Sequence, residues 1–357
     1  MKQICIFDIL GSYCGMHYYD IAFAEAFRER GYKTMIYSNF KEKKEDCCFF
    51  SSFFTCCKFI GCFRILYAYL KFLFFVFFHY NYKIIYLAYG ELYEVPFLII
   101  ASCGKHVFVD VHEVYALKYK DTSFTSKLFK WLYRSRIHNV IYHSQRTYDL
   151  LNNDRLKMLY VPHFRYVFQK SCQIENVSQE ILDCFKCSSP RYLFFGNLTT
   201  VKGVDVVCEA FEHLKKLNVN YELVIAGKNV DSYDFSKQRN SKTKIFDRHI
   251  NDDELIYLYS NSDYILLPYR KSSQSGIFAM AAYFHKPMIL SDIPYFVSMI
   301  EKYPSFGIIS SLKNISDTLK TTMESHGNYY TNVDCEKFEK KKDIDNFVSL
   351  LKYKTSI

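Results

Sequence analysis

A polar loop between a strand and a helix carries the first candidate chemistry of this chain. The apolar run from Asp263 to Leu267 is typical of a buried strand, the chain turns at Pro268, and helical spacing of apolar residues resumes at Ile277. The loop contributes two cations and several small polar residues: Arg270, Lys271, Gln274, Ser275 and Gly276. Backbone N–H groups at such a helix start lie at the positive end of the helix dipole and can bind phosphate. This pattern predicts a phosphate-binding loop, although a loop of an α/β domain without a ligand has the same appearance.

A second strand–loop–helix unit precedes this loop in the chain. Residues 191–195 form an apolar run, Gly196 and Asn197 follow at the turn, and Lys202-Gly203 come directly before apolar residues at helical spacing. A third apolar run, 221–227, ends in glycine. Strands that alternate with helices in this way indicate parallel sheets covered on both faces. The length of 357 residues predicts about two domains, with about six strand-like runs in each half.

These elements resemble, in order, the C-terminal half of the retaining glycosyltransferases of family 4, and in particular a sub-group with a Ser-Gln-Ser-Gly loop. The matching features are a glycine turn, a Lys-Gly pair, an Ala-Gly strand end, a proline with a small-residue loop, and a Lys-Pro pair. They are Gly196, Lys202-Gly203, Ala226-Gly227, Pro268 with Gln274–Gly276, and Lys286-Pro287. In the N-terminal half, the glycine-containing loop at Gly11 and Gly15 follows the first strand, and His112 stands at a strand end. The resemblance covers roughly residues 3 to 355.

The resemblance implies an α/β chain with the GT-B fold, in which two Rossmann-like parallel-sheet domains face each other across a cleft. Residues 1–170 would bind the acceptor, residues 171–335 would bind the nucleotide sugar, and residues 336–357 would form a helix that returns to the first domain. The implied activity moves a sugar, with retention, from a nucleoside diphosphate sugar to a hydroxyl of a glycan or lipid-linked acceptor. It serves cell-surface polysaccharide synthesis and uses neither a metal nor a cofactor.

The resemblance also assigns roles to individual residues. Lys202 would neutralise the diphosphate of the donor, and His112 would act on the transferred sugar; these two are the expected catalytic residues. The expected donor-binding residues are Gly15, His17, Gly196, Asn197, Lys202, Arg270, Lys271, Gln274, Ser275, Gly276 and Ile277. Each has a plainer alternative: Lys202 could be a solvated loop lysine and His112 a strand-end histidine without a catalytic role. His163 is interpreted as structural.

Two departures from the family pattern leave other functions open. The arginine that the family has five residues before the lysine is Asn197 here, and Arg270 or Lys271 could supply its charge. The family's two glutamates, separated by seven residues, are Ser272 and Met280. Members of the Ser-Gln-Ser-Gly sub-group also lack this pair. The alternatives are a catalytically silent GT-B subunit that binds a partner enzyme, and a sugar-nucleotide epimerase.

Composition and charge restrict the partners. The formal net charge of +9 favours an anionic partner, and the scattered basic residues without a nucleic-acid motif favour a phosphate-rich donor or an anionic membrane surface over nucleic acid. Among the thirteen cysteines, Cys184 and Cys187 have a ligand-like gap, but no second Cys-x-x-Cys pair partners them at zinc spacing. The chain opens directly with a strand, so we expect a cytoplasmic protein with free thiols. The apolar run 59–78 predicts either a core helix or a helix that lies on the inner face of the cell membrane.

Overall fold

A computed structural model describes residues 3–50, 58–161, 171–186, 189–238 and 240–324. These residues form two compact units. The first comes before residues 162–170 in the chain and the second comes after them. The expected domain boundary at residue 170, His163, and the expected returning helix in 336–357 lie outside the described residues and stay predictions.

The first unit is built on a seven-stranded parallel sheet with the strand order β3-β2-β1-β4-β5-β6-β7. Its strands are β1 (Gln3–Phe7), β2 (Lys33–Ser38), β3 (Cys47–Cys48), β4 (Lys83–Ala88), β5 (Val107–Val111), β6 (Asn139–Tyr142) and β7 (Lys157–Tyr160). Its helices are α1 (His17–Arg28), α2 (Lys58–Phe78), α3 (Val95–Ser102), α4 (Phe124–Arg136) and α5 (Gln145–Leu151), with 3₁₀ turns at Gly11–Cys14 and Leu92–Glu94. Every residue of β4 and β5 is buried, as expected for parallel strands that helices cover on both faces.

The second unit has a six-stranded parallel sheet with the order β10-β9-β8-β11-β12-β13. Its strands are β8 (Arg191–Phe195), β9 (Glu222–Gly227), β10 (Thr243–Asp247), β11 (Tyr264–Leu267), β12 (Met288–Ser291) and β13 (Gly307–Ser310). Its helices are α6 (Gln179–Leu182), α7 (Val204–Lys216), α8 (Asp252–Asn261), α9 (Gly276–Tyr283), α10 (Pro294–Lys302) and α11 (Ile315–Glu324), with 3₁₀ turns at Ile174–Asn176 and Pro304–Phe306. The predicted pair of Rossmann-like parallel-sheet domains is confirmed.

Each sheet has one point at which the strand order reverses. β1 lies between β2 and β4, and β8 lies between β9 and β11. At such a point, the connections that follow the two neighbouring strands lie on opposite faces of the sheet. They leave a crevice at the carboxyl ends of these strands, where ligands bind. The residues that follow these strands are therefore the first candidates for a functional site.

Two features of the first unit bear on the sequence-based expectations. The sheet has seven strands where about six were expected, because β3 is an edge strand of only two residues and leaves no alternating pattern. In addition, α2 is more than a core helix: Phe72 is fully buried, whereas Phe63 and Phe77 are more than 70% exposed. Within the described residues, no helix combines the length and the apolar character needed to cross a bilayer.

Candidate functional site

Two loops of the second unit touch each other beyond the carboxyl ends of β8 and β11. Gly203 has a φ of +79°, and a Cβ atom at this position would lie 2.1 Å from the carbonyl oxygen of Pro268. Any other residue would therefore push the loops apart. Glycine at position 203 lets the loop that carries Lys202 pack directly on the loop that follows Pro268.

Two further glycines bring three of the expected site residues together. Gly196 has a φ of +110°, and a Cβ atom there would lie 3.3 Å from Nζ of Lys202 and 3.3 Å from Cδ1 of Ile277. Gly227, at the end of β9, packs so closely that its Cβ would lie 1.9 Å from the carbonyl oxygen of Gly196. The ammonium group of Lys202 and the first turn of α9 thus lie over the turn after β8.

Lys202 makes one contact through its backbone and one through its side chain. Its backbone N–H donates to the carbonyl of Thr199 at 3.1 Å, and its half-buried side chain places Nζ 5.8 Å from the centre of the Tyr269 ring. Tyr269 is buried, and this burial raises the pKa of its hydroxyl. The aromatic ring offers the ammonium a cation–π contact. Tyr269 was not predicted as a site residue; its position directly after Pro268 was the available signal.

The predicted phosphate-binding loop ends in a capped helix. Ser275 is the N-cap of α9, and its hydroxyl accepts the N–H of Phe278 at 3.2 Å. The first N–H groups of a helix have no partner within the helix, so those of Gly276 and Ile277 point out of its positive end. Gln274 and Lys271 are half-buried in the preceding loop. This geometry suits an anion beside Lys202.

Arg270 is engaged within the protein. Its guanidinium forms two hydrogen bonds with the carboxylate of Asp205 at 2.7 and 2.6 Å and a third with the carbonyl of Thr200. These bonds tie the loop after Pro268 to the start of α7. Asn197 is exposed. The expectation that Arg270 or Lys271 replaces the arginine missing at position 197 stays a prediction.

In the first unit, His112 follows β5 and lies among aromatic rings. It is 3% exposed, and its backbone N–H donates to the carbonyl of Ala88 at 2.9 Å. Its ring stacks on that of Tyr89, with centroids 5.2 Å apart, and meets the ring of Tyr19 edge-on at 4.7 Å. The histidine therefore lies at the carboxyl edge of the sheet, as predicted, and its ring has a defined orientation.

Behind His112 lies a buried ion pair that the sequence analysis did not identify. Nε2 of His143 is 2.5 Å from Oδ1 of Asp110, and Nδ1 is 2.8 Å from the carbonyl oxygen of Val161. Burial lowers the pKa of His143, but the Asp110 carboxylate outweighs this effect and the net pKa is raised. Both ring nitrogens face an acceptor. The hydroxyl of Tyr19 donates to the other carboxylate oxygen of Asp110 at 2.8 Å.

A pair of buried carboxyl side chains, Asp8 and Asp20, lies after β1. Asp8 accepts the N–H groups of Leu10 and Gly11, at 2.9 and 2.7 Å, and the hydroxyl of Tyr89 at 2.8 Å. Asp20 is fully buried, and its burial together with the neighbouring Asp8 carboxylate raises its pKa well above the usual range. Asp8 thereby fixes the start of the segment that leads from β1 to two expected donor-binding residues. These are Gly15, with a φ of +71°, and His17, the first residue of α1.

Asp110, His112 and His143 also have the chemistry of metal ligands. Each offers one ligand atom, and these atoms lie within 4.8 Å of one another. In this arrangement Nε2 of His143 lies 2.5 Å from Oδ1 of Asp110, a hydrogen-bond contact that a metal at that nitrogen would have to replace. The three residues as arranged are therefore an ion pair with an adjacent histidine.

The second unit and the fold are both similar to known proteins. Residues 186–324, less than half of the chain, match the family model described as glycosyl transferases group 1. No curated protein matches the chain in sequence. Sucrose-phosphate synthase from Thermosynechococcus elongatus is similar in structure, with a TM-score of 0.68, 12% identity and coverage of 99% of each chain.

Two further solved structures have the same architecture. HepE from Anabaena, in complex with UDP-glucose, has a TM-score of 0.68 and 12% identity, over 99% of this chain and 100% of that chain. A glycosyltransferase from Rickettsia africae has a TM-score of 0.63 and 18% identity, over 97% and 93% of the chains. The chain therefore has the GT-B fold, and residues 186–324 are similar to glycosyl transferases group 1. Its placement in family 4 and in the Ser-Gln-Ser-Gly sub-group stays a prediction.

Proposed function

We propose that this protein is a retaining glycosyltransferase that moves a sugar from a nucleoside diphosphate sugar to a hydroxyl of a glycan or lipid-linked acceptor. The observation that carries this proposal is the position of Lys202. Its ammonium lies over Gly196 and beside the start of α9, where the strand order of the sheet reverses. This is where a phosphate-bearing ligand binds in an open parallel sheet.

The chemistry that this arrangement supports is stabilisation of a leaving group. When the bond between the sugar and the diphosphate breaks, negative charge increases on the departing phosphate. Lys202 and the backbone N–H groups of Gly276 and Ile277 would lower the energy of that charge, because they are already oriented before the reaction. The departing phosphate oxygen can take the proton of the acceptor hydroxyl, so no further base is required on the donor side.

The same groups support the proposal that the reaction is metal-independent. An ammonium and a helix start supply the positive charge that a divalent ion supplies in other transferases. In the first unit, the carboxylate of Asp110 is bound by His143 and Tyr19. We therefore propose that the transfer of the sugar needs no catalytic metal.

We assign His112 to the transferred sugar. A ring that stacks on Tyr89 and contacts Tyr19 is held at one position, and a fixed hydrogen-bonding group favours one orientation of a bound sugar. Asp110 and His143 act on the sugar only through the position of His112 and Tyr19. They are positioning residues in this scheme.

UDP-sugars are the first donors to test, because HepE was solved with UDP-glucose. The experiment measures thermal stabilisation and sugar release with UDP-, GDP- and ADP-sugars, for the protein and for Lys202→Ala. Saturating donor at about 100 times its Kd stabilises the folded state by roughly 2.7 kcal/mol, which is seen as a rise in Tm. The proposal expects one nucleotide series to stabilise the protein and to be turned over, with both effects weakened in Lys202→Ala. No stabilisation by any series would overturn it.

A catalytically silent GT-B subunit is the second candidate, for a specific reason. The position at which the family carries its ribose-binding glutamate is Met280, which is buried in α9. Ser272, at the position of the other glutamate, donates its hydroxyl to the carbonyl of Gln274. A silent subunit would bind nucleotide weakly or not at all and would release no sugar from any donor, with or without an acceptor extract.

A further inference from the structure

The most unusual surface of the first unit is the outer face of α2. From Phe63 onward, its exposed side chains are almost all large and apolar: Phe63, Leu66, Tyr67, Leu70, Leu73, Phe74, Phe77 and Phe78. Their spacing of three and four residues places them along one face of the helix. The opposite face, with Ala68, Phe72 and Val76, is buried in the core of the unit. The apolar outer face is therefore not explained by the folding of α2 onto its sheet.

The neighbouring helices extend this surface. α3 packs against both α2 and α4 and exposes Ile99. α4 exposes Phe124 and Trp131 on the same side of the helix as the exposed Lys127. The guanidinium of Arg136, also exposed, lies 5.9 Å from the Trp131 ring. We call the outer faces of α2, α3 and α4 the aromatic-basic face.

The charge of these helices has one sign. α2, α3 and α4 contain no aspartate or glutamate, and they contain seven basic residues: Lys58, Arg64, Lys71, Lys127, Lys130, Arg134 and Arg136. Two acids that precede α3 and α4 in the chain are ion-paired: Glu91 with Lys118, and Asp121 with Arg146. A face that combines exposed aromatic side chains with unbalanced positive charge matches a surface that is apolar inside and anionic outside.

We propose that the aromatic-basic face binds the surface of an anionic lipid bilayer, with α2 lying flat in the interface. Its outer phenylalanines would enter the boundary between headgroups and acyl chains, and the basic residues of α4 would contact lipid phosphates. A cavity of about 540 Å³ opens at the end of α2, lined in part by Leu73, Phe77 and Tyr80, and it continues the apolar surface inward. A second copy of this chain is a less suitable occupant, because the exposed basic residues of each copy, Arg64, Lys127, Arg134 and Arg136, would face those of the other copy without an acid from these helices.

The single tryptophan of the chain makes the proposal directly measurable. Trp131 is 54% exposed and lies on this face. We expect the full-length protein to float with vesicles of phosphatidylcholine and phosphatidylglycerol, to float less at high salt, and not to float with phosphatidylcholine alone. Tryptophan emission should shift to shorter wavelength, and brominated lipids should quench it. Flotation without any change in Trp131 emission would show that another surface binds.

Two pairs of substitutions, each with a matched control, test the apolar and the basic contributions. Phe74→Ser with Phe77→Ser should weaken vesicle binding by roughly tenfold or more. Its control is Leu217→Ser with Val230→Ser, which removes similarly exposed apolar residues from the second unit and should leave binding unchanged.

Lys127→Gln with Arg136→Gln should weaken binding by about fivefold for each charge removed. The control, Lys215→Gln with Lys216→Gln, removes the same charge from the last turn of α7 and should have little effect. All these side chains are exposed, and circular dichroism checks the fold.

Three results would overturn the proposal: no flotation with anionic vesicles at low salt, equal losses in the control pairs, or a dimer that Phe74→Ser with Phe77→Ser converts to a monomer without vesicle binding. The last result would make the face a contact between copies. The assay contains no nucleotide sugar, so its outcome does not depend on whether the protein transfers sugars.

Discussion

The substitution Lys202→Ala tests the proposed donor site most directly. The structure predicts a local effect, because the loop is held by the Thr199 carbonyl and by the contact of Gly203 with Pro268, neither of which involves the lysine side chain. A hydrogen bond between charged groups contributes roughly 1.5–3 kcal/mol. Removing it should weaken nucleoside diphosphate binding by about 10- to 100-fold and leave the free energy of unfolding almost unchanged.

Calorimetric titration with UDP, GDP and ADP measures the affinity, and urea denaturation measures the stability. The matched control is Lys216→Ala, which removes one lysine charge from the last turn of α7. If long-range attraction alone were responsible, both variants would lose affinity equally. Unchanged affinity in a folded Lys202→Ala protein would refute the assignment of this ammonium to the diphosphate.

Four further outcomes follow from the structure. His112→Ala should lower turnover about tenfold with little change in nucleoside diphosphate affinity; equal loss of both would argue against a role at the sugar. Ser275→Ala should cost about 1 kcal/mol of stability through the lost helix cap but spare nucleotide affinity. Ser275→Pro removes the N–H of residue 275 and restrains Gln274, which disturbs the loop that leads into the Gly276 and Ile277 N–H groups, and should abolish binding; near-equal affinities of the two variants would reject binding by backbone amides. Turnover should persist in EDTA, and full loss that magnesium or manganese restores would contradict metal independence. Burial raises the pKa of Glu94 from 4.5 to about 8, so the folded state binds this proton more tightly than the unfolded state. The free energy of unfolding should therefore fall as the pH rises between these values, and Glu94→Gln should flatten that part of the profile; an unchanged slope in denaturation at several pH values would count against it.

The sequence was sufficient for the architecture and for the grouping of Gly196, Lys202 and Ile277. Glycine and lysine stand at fixed places between strands and helices, so local patterns mark the turns at which a parallel sheet presents its ligand site. The contact between Gly203 and Pro268 could not be predicted in the same way. It joins loops that are 65 residues apart in the chain and that come together only because β8 and β11 pair in the sheet.

The ion pair between Asp110 and His143 shows the same limit. The two residues are 33 positions apart and meet because β5 and β6 pair in register, with Asp110 opposite Ile141. An acidic residue inside an otherwise apolar strand was the signal available in the sequence. For α2, periodicity could not choose between core and surface, because the helix is apolar on both faces.

The close contact of Gly203 with Pro268, reinforced by the ion pair between Arg270 and Asp205, has a consequence for the thermodynamics of donor binding. Both loops reach their binding geometry when the domain folds, so their conformational entropy is lost then and not when the ligand arrives. A preorganised site of this kind binds a small, highly charged ligand without a disorder-to-order step. Nucleotide binding should therefore show a small heat-capacity change, in contrast to the large negative value that accompanies coupled folding of a loop.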